Sequence, residues 1–357
     1  MKSQLQLVCS LLPAVLVSIT ATCDAKEFAT TGEIERIDPA FDKIVSSDAK
    51  IEVLAEGFTW SEGPVWVPQK DRIDGGYLLF SDVPNNVVHR WDEVDGLSTF
   101  LKPSGFTGKT TNANETGSNG LALDAKGRLV LCQHGDRRLA RLKESLANPT
   151  PEYETLVNRF EGKRFHSPND LVIHSSGEIY FTDPPYGLAK KWKDPSREMD
   201  FQGIYRLSAD GSELSLLVSE LHAPNGIAFS PDEKTLYVTQ SHRPAPVVMA
   251  YLVREVRGKD DHSDFFIEAG RVFFDASELV KTRTGMPDGM KVDASGNVFA
   301  TGPGGVLVIS PEGKHLGSIR TGGVIANCAF GDDGKTLYMT SHERLCRVRV
   351  LTTGQGF

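Results

Sequence analysis

Residues 286–302 read Met286-Pro-Asp-Gly-Met-Lys-Val-Asp-Ala-Ser-Gly-Asn-Val-Phe-Ala-Thr-Gly302, and they predict two short antiparallel strands. Asp288-Gly289 opens the first strand, Ala294-Ser-Gly296 turns the chain, and Val298-Phe-Ala300 returns as the second strand. The same pattern recurs along the chain with other residues. This hairpin is therefore the unit from which the fold is predicted.

Six copies of the first strand can be aligned, and five of them begin with a side chain that carries an oxygen. The copies are Glu62-Gly-Pro-Val-Trp66, Asn119-Gly-Leu-Ala-Leu123, Asn169-Asp-Leu-Val-Ile173, Asn225-Gly-Ile-Ala-Phe229, Asp288-Gly-Met-Lys-Val292 and Ala326-Asn-Cys-Ala-Phe330. Each is followed by a turn and a second apolar strand, as in Glu178-Ile-Tyr-Phe-Thr-Asp183. Six units of three to four strands are typical of an all-β, six-bladed β-propeller.

Two other all-β architectures compete with the propeller, namely a β-solenoid and a pair of β-sandwiches. The copies recur at intervals of about 40 to 60 residues, which is too long for a solenoid. No shift in composition marks a boundary between two domains. The propeller also leaves no long open sheet edge, so the sequence favours it.

Residues 1–25 have the features of a secretory signal. Lys2 precedes the apolar run Val8–Ile19, and small residues follow. The run is shorter than the roughly 18 residues that a membrane-spanning helix requires. We therefore expect an exported protein, periplasmic or secreted, without a membrane span. A soluble N-terminal helix is the alternative. Lipidation of Cys23 is disfavoured, because Thr20 stands where a lipoprotein signal normally carries leucine.

The remaining chain divides into a polar leader at 26–50, predicted as a linker or an outer strand, and the propeller at 51–357. Three cysteines fall in the propeller, at Cys132, Cys328 and Cys346. Their wide spacing excludes a disulfide framework and a CxxC metal site. We expect them to be buried as small hydrophobic residues.

The formal charge of the chain is −8, from 39 basic and 47 acidic residues. This balance argues against nucleic acid or anionic lipid as the main partner. Small-molecule ligands are compatible with it, and both a monomer and a dimer are open.

The innermost strand of every propeller blade lines the central channel, so equivalent residues should converge at its mouth. The predicted ring contains Glu62, Asn119, Asn169, Asn225 and Asp288, with Ala326 in the sixth position. Two carboxylates and several amide oxygens suit a hard cation such as Ca²⁺ or Mg²⁺. The alternative is that Asn-Gly and Asp-Gly only make turns, but this does not explain Glu62, a poor turn residue.

Four motifs carry a resemblance to a known family: Ser61-Glu-Gly-Pro-Val-Trp66, Ser167-Pro-Asn-Asp170, Ala223-Pro-Asn-Gly226 and Met286-Pro-Asp-Gly-Met290. Over residues 51–350 the chain resembles the SMP-30/gluconolactonase/luciferin-regenerating family of six-bladed propellers, and especially its bacterial gluconolactonase-like members. The resemblance implies one divalent ion held by Glu62, Asn169, Asn225 and Asp288. Ca²⁺ is the expected metal, with Zn²⁺, Mg²⁺ and Mn²⁺ as alternatives. Asn119 would contact a water, the substrate or the ion.

The reaction implied is hydrolysis of the ester of a sugar lactone, such as gluconolactone, to the aldonic acid. The cation would stabilise the developing oxyanion, and Asp288 would act as general base or orient the water. A carboxylate that also binds the ion is a weak base, so His134 is a second catalytic candidate. His166 and Asn119 are predicted to bind substrate. A structural hydrogen bond is the alternative for either histidine.

Two other functional classes stay open at this point. One is a non-catalytic propeller that binds a ligand or a protein, and the other is a related esterase or phosphotriesterase-like hydrolase. Long insertions at Phe106–Ser118, Pro184–Gln202 and Arg254–Ala269 are predicted as surface loops, some of them over the site. In the second, Tyr186 and Trp192 could stack on a sugar ring.

Overall fold

The computed structural model describes residues 27–72, 75–257 and 263–357. Within these ranges the chain forms 29 β-strands and three short 3₁₀ helices, and none of the helices is long and apolar enough to cross a membrane. The predicted signal segment at 1–25, with Cys23, lies outside the described residues.

The 3₁₀ helices are Pro39–Lys43, Lys191–Lys193 and Leu279–Lys281. The strands are β1 (Thr30–Thr31), β2 (Glu33–Arg36), β3 (Ile51–Glu56), β4 (Ser61–Pro68), β5 (Gly76–Asp82), β6 (Val87–Asp92), β7 (Gly96–Leu101), β8 (Ser118–Leu123), β9 (Leu129–Gln133), β10 (Arg138–Leu142), β11 (Tyr153–Val157), β12 (Arg159–Phe160), β13 (Lys163–Arg164), β14 (Leu171–Ile173), β15 (Ile179–Thr182), β16 (Ile204–Leu207), β17 (Leu214–Val218), β18 (Pro224–Phe229), β19 (Thr235–Gln240), β20 (Val247–Arg257), β21 (Ser263–Ile267), β22 (Arg271–Asp275), β23 (Met290–Val292), β24 (Val298–Gly302), β25 (Gly305–Ile309), β26 (His315–Arg320), β27 (Asn327–Gly331), β28 (Thr336–Ser341) and β29 (Arg344–Arg349).

Six antiparallel sheets make the blades. Blades one to three are β4–β7, β8–β11 and β14–β17. Blade four contains β18, β19, β20 and β22, and β21 pairs with the far part of β20. Blade five is β23–β26 with β2 on its edge, and blade six is β27–β29 with β3 and β1. The prediction of an all-β, six-bladed propeller is confirmed.

The ring closes because the chain brings its N-terminal strands back to its last blades. Strand β3 pairs with β29, with Ile51 opposite Val348, and β1 adds to the outside of β3. Strand β2 extends blade five, with Glu33 opposite Arg320. The polar leader predicted at 26–50 thus supplies outer strands to two blades. These pairings cover sheet edges that would otherwise be open.

The core lies between and within the blades, where the second strand of each is covered on both faces. Every residue of β5 is buried, which explains its uninterrupted apolar run Tyr77-Leu-Leu-Phe80. Cys132, Cys328 and Cys346 are buried free thiols, as expected from the sequence. The inner strands are left to line the channel, and their first residues reach its mouth.

Candidate active site

The predicted ring of polar residues is assembled in the structure. It forms the wall of a cavity of about 430 Å³ at the channel mouth, with Trp60, Ser241, Met286 and Val324 beside it. The ring members in this wall are Glu62, Asn119, Asn169, Asn225 and Asp288. Ala326, in the sixth position, is buried without a polar side chain to contribute.

Hydroxyl groups at the ends of the second strands fix the backbone of the ring. In each case the hydroxyl of one blade donates to the main-chain carbonyl of the ring residue in the next blade. The pairs are Ser81 to Asn119 (2.9 Å), Thr182 to Asn225 (2.7 Å) and Thr239 to Asp288 (2.7 Å). Because these bonds cross between blades, the positions of the ring residues are set by the packing of the whole propeller.

The glycines that follow the ring residues differ in their backbone conformation. Gly63 has a left-handed backbone, with φ of 51°, whereas Gly120 and Gly289 do not, although the alternative explanation made them turn residues. Instead, a Cβ atom on Gly120 would lie 2.6 Å from Asp170 Oδ1, and one on Gly289 would lie 2.0 Å from Asn327 Cγ. These glycines leave room for two buried polar side chains. The turn prediction holds for Gly296, whose φ is +85°.

Those two side chains occupy the second position of their inner strands, below the ring. Asn327 Nδ2 donates to Asp170 Oδ2 at 3.3 Å, and the main-chain N–H of Leu171 donates to Asp170 Oδ1 at 2.9 Å. Burial raises the pKa of Asp170. The sequence prediction missed this layer, although the second position reads Gly, Gly, Asp, Gly, Gly, Asn across the six copies.

Burial places the two ring carboxylates in an unfavourable environment for negative charge. Burial, together with the charge of Asp170, raises the pKa of Glu62 to about 8. Burial and the charges of Glu62 and Asp170 raise the pKa of Asp288 well above its usual range. The site therefore favours a proton or a positive ligand between these groups.

The donor set fits a hard cation. The ring offers two carboxylates and the side-chain oxygens of three asparagines. Across the described ranges, no cluster of three or more His, Cys, Asp or Glu side chains could hold a metal ion by itself. Asn119 Oδ1 is buried and has no hydrogen-bond partner among the described residues. The amide nitrogen of Asn225 donates to Ser241 Oγ at 3.0 Å, so the amide oxygen is the atom that a cation could use. An all-oxygen set of this kind is what Ca²⁺ and Mg²⁺ prefer.

Two of the three predicted insertions roof the cavity. Glu115 comes from the first insertion, and Tyr186 and Lys191 come from the second. Lys191 Nζ lies 3.5 Å from Glu115 Oε1 and 5.5 Å from the centre of the Tyr186 ring. Trp192 does not line the cavity; it stacks on His222 with ring centroids 5.4 Å apart. The third insertion continues blade four as the β20–β21 pair, away from the cavity.

His134 lies behind the roof and not in the wall of this cavity. Its Nδ1 atom is 3.7 Å from Glu115 Oε2, and neither ring nitrogen has a hydrogen-bond partner among the described residues. Burial, with the charge of Lys191 nearby, lowers the pKa of His134 to about 3. The imidazole of His134 is therefore uncharged near neutral pH and is a poor proton acceptor there.

His166 is also kept out of the cavity. Its Nδ1 lies 3.3 Å from the carbonyl of Asp183 and its Nε2 lies 3.1 Å from the carbonyl of Met199. Its main-chain N–H donates to Asp183 Oδ2 at 2.8 Å. Both nitrogens are thus occupied by the protein. This arrangement ties the second insertion to blade three, and His166 does not line the central cavity where the predicted substrate contact would be made.

The sequence also matches the model of a known protein family. The family model described as SMP-30/Gluconolactonase/LRE-like region matches residues 60–343. The chain belongs to this family. The match spans all four motifs that hold the ring.

Relatives of known name extend over nearly the whole chain. The gluconolactonase of Zymomonas mobilis is 36% identical, with 96% of each chain covered. The pentonolactonase of Haloferax volcanii is 27% identical, over 78% of this chain and 80% of its own. Among solved structures, a gluconolactonase from Xanthomonas campestris superposes with a TM-score of 0.74 at 31% identity, covering 91% of this chain and 98% of that one.

Proposed function

We infer that this protein is a lactone-hydrolysing enzyme, a carboxylic ester hydrolase, and we propose that it is a metal-dependent hydrolase of a sugar lactone. Family membership and the gluconolactonase relatives at 36% and 31% identity support the reaction class. The observation that carries the metal dependence is the pair of carboxylates that face one cavity, the buried Glu62 and the partly buried Asp288, beside Asn119 Oδ1, which has no partner among the described residues.

In this proposal Glu62, Asn169, Asn225 and Asp288 hold one divalent ion, with Ca²⁺ as the first candidate. When bound, such an ion would polarise the lactone carbonyl and stabilise the negative charge that develops on its oxygen. Its positive charge would also offset the repulsion between the carboxylates of Glu62 and Asp288.

Asp288 is the general base in the proposed reaction. A bound cation would lower the basicity of this carboxylate, but it would also lower the pKa of a water bound beside it, so that Asp288 could still take the proton or orient the water. The activated water attacks the carbonyl carbon, the ring C–O bond breaks, and the ring oxygen leaves as a hydroxyl that takes up a proton. The product is the open-chain aldonic acid. His134 is the weaker candidate, because its pKa of about 3 makes it a poor base near neutral pH.

A sugar lactone suits the polarity of the cavity. Asn119 Oδ1 can accept a hydrogen bond from a sugar hydroxyl or from the attacking water, since no described residue occupies it. Lys191 and Glu115 in the roof offer further polar partners, and the Tyr186 ring offers a flat face. The relatives' names point to gluconolactone or a pentonolactone as the substrates to test first.

The test is hydrolysis of a panel of lactones by the chelated protein, before and after addition of Ca²⁺, Mg²⁺, Mn²⁺ or Zn²⁺. Activity should vanish on chelation and return with one or more of these ions. Asp288→Asn should lower kcat by at least about 10²–10³-fold, whereas His134→Leu should retain most of it. A chelated protein with full activity would refute the metal dependence. A folded, metal-loaded protein that hydrolyses no lactone would favour a binding propeller.

We also propose that the protein is exported, on the basis of residues 1–25. Expression of the full chain in a bacterium should then yield a mature protein in the periplasm or medium. Its intact mass should correspond to cleavage near Ala25. A full-length protein recovered only from the cytoplasm would contradict export.

A further inference from the structure

A second cavity, of about 680 Å³, lies beside the roof of the central one. Its wall is made by the two roofing insertions, by the turn after strand β9, and by Asn158 and Arg164 at the strands β12 and β13. It shares no lining residue with the central cavity. Four cationic residues line it: Arg137, Arg138, Arg164 and Lys190. This concentration is notable in a chain with a formal charge of −8.

The two carboxylates in this second cavity are already occupied. Asp136 Oδ2 accepts hydrogen bonds from Thr107 Oγ1 at 2.7 Å and from Arg138 at 2.9 Å. Asp194 accepts from the main-chain N–H groups of Lys190 at 2.8 Å and Ser196 at 2.9 Å. Neither acid forms an ion pair with Arg137 or Arg164 among the described residues.

Arg137 is a buried arginine, and one of its guanidinium nitrogens makes no hydrogen bond within the described ranges. Its Nε donates to the carbonyl of Phe165 at 2.5 Å and its Nη1 to the carbonyl of Ser196 at 3.1 Å. Only 6% of the residue is exposed, and its Nη2 is buried without a hydrogen-bond partner among the described residues. Its backbone is left-handed, with φ of 59°, which is strained for a side chain of this size. The protein thus holds an arginine under strain with a donor unused.

Arg164 adds a second positive charge next to it. Its Nη2 makes one long bond of 3.4 Å to the carbonyl of Asp136, and it belongs to no ion pair among the described residues. Burial and the charge of Arg164 lower the pKa of Arg137, and the charges of Asp183, Glu198 and Asp194 oppose part of this shift. Two neighbouring guanidinium groups with free donors match the geometry of an oxyanion.

We propose that the second cavity binds a small molecule through its carboxylate or phosphate group, with Arg137 and Arg164 as the anion-binding residues. Such a ligand would bring a negative charge to a wall that carries four cationic side chains, with the partly exposed Arg164 as its direct contact and Arg137 beside it. The size of the cavity falls within the range of small-molecule sites, and Asn112 and Asn158 in its wall can bind hydroxyls. A sugar acid or a sugar phosphate has this combination of groups. The proposal is independent of the lactone hydrolysis proposed above.

The experiment is isothermal titration calorimetry on the purified protein in a low-chloride buffer. The probes are gluconate, inorganic phosphate and, as a neutral control, glucose. We expect gluconate, phosphate or both to bind and glucose not to bind at the same concentrations. Binding of gluconate alone identifies a carboxylate as the ligand group, and binding of phosphate alone identifies a phosphate.

Arg164→Gln should weaken anion binding about tenfold or more, as the loss of a charge-assisted contact requires. Arg137→Gln should have the same effect, and the partly exposed Arg164 keeps the test valid if the buried substitution impairs folding. Arg128→Gln is the matched control, because Arg128 lies outside the cavity and pairs with Asp124 at 2.8 Å. It removes the same charge and should leave binding within about twofold.

Two results would overturn the proposal. One is that no anion binds to the folded protein. The other is that gluconate binding is lost in Asn119→Ala but unchanged in Arg164→Gln, which would place the ligand in the central cavity. Turnover of a lactone is not a readout here, so failure of the proposed hydrolysis would not affect the outcome.

Discussion

At the scale of single residues, His134 couples the stability of the protein to pH. Burial lowers its pKa to about 3 in the folded chain, against about 6.5 for an unfolded histidine. Between these values the unfolded state binds more protons, so the free energy of unfolding falls as the pH drops below about 6.5 and is unaffected by this group above it.

The prediction is that His134→Leu removes this part of the acid sensitivity. About 2–3 kcal/mol of the loss between pH 7 and pH 4.5 should disappear, because the proton uptake of one histidine is eliminated. Urea denaturation at the two pH values measures it, with His342→Leu, at an exposed histidine, as control. Equal acid sensitivity in the wild type and His134→Leu would contradict a buried, neutral His134.

The ring residues could be predicted from the sequence because the repeat puts them in register. Glu62, Asn119 and Asp288 converge for the same reason that their strands are equivalent. The surroundings of His166 could not be predicted in this way, since its nitrogens meet carbonyls of residues 17 and 33 positions away. Contacts of this kind depend on how an insertion folds back, and no periodic pattern records that.

At the scale of elements, the two roofing insertions meet through one ion pair. Glu115 and Lys191 come from different blades and their charged atoms lie 3.5 Å apart above the cavity. Burial raises the pKa of Glu115, and the charge of Lys191 opposes that rise. The pair therefore joins the two loops over the central cavity.

We predict that Glu115→Gln and Lys191→Gln each raise KM about two- to fivefold with little change in kcat, as expected for a partly exposed ion pair worth about 0.2–1 kcal/mol. The double variant should be no worse than the more impaired single one, since both remove the same contact. Steady-state kinetics on the best lactone substrate measures the cycle. Additive effects would show that the two side chains act separately.

The order of the strands followed from the repeat, but the positions of the insertions did not. Their lengths indicated loops, and two of them do roof the cavity. The acid and the base that meet there, Glu115 and Lys191, are 76 residues apart (191 minus 115) in segments without periodicity. Nothing in either segment alone identifies its partner in the other.

At the scale of the whole molecule, stability depends on how the ring is closed. The N-terminal segment adds strands to blades five and six, and Phe41 lies between them in the 3₁₀ helix Pro39–Lys43. Phe41 is fully buried in a cluster that includes Ile319 of blade five and Val348 of blade six. The segment therefore joins the two blades where the chain begins and ends.

Phe41→Ala should lower the free energy of unfolding by about 3–5 kcal/mol, as expected for truncation of a large buried aromatic residue. The value of kcat should not change, because no residue before Trp60 lines the central cavity. Urea denaturation and lactone hydrolysis of the same preparation give the two quantities. Ile37→Ala is the control, since Ile37 is 50% exposed and its loss should cost well under 1 kcal/mol.

The combination of the two readouts decides what the segment does. A large loss of stability with unchanged kcat means that ring closure supports the propeller without shaping the site. A loss of kcat in the folded Phe41→Ala protein would mean that a distortion at the closure reaches the ring of polar residues. The inter-blade bonds from Thr239 to Asp288 and from Thr182 to Asn225 would then transmit the distortion. We expect the first result, because those bonds join the first and second strands of blades three to five, whereas the N-terminal strands pair with the outer strands of blades five and six.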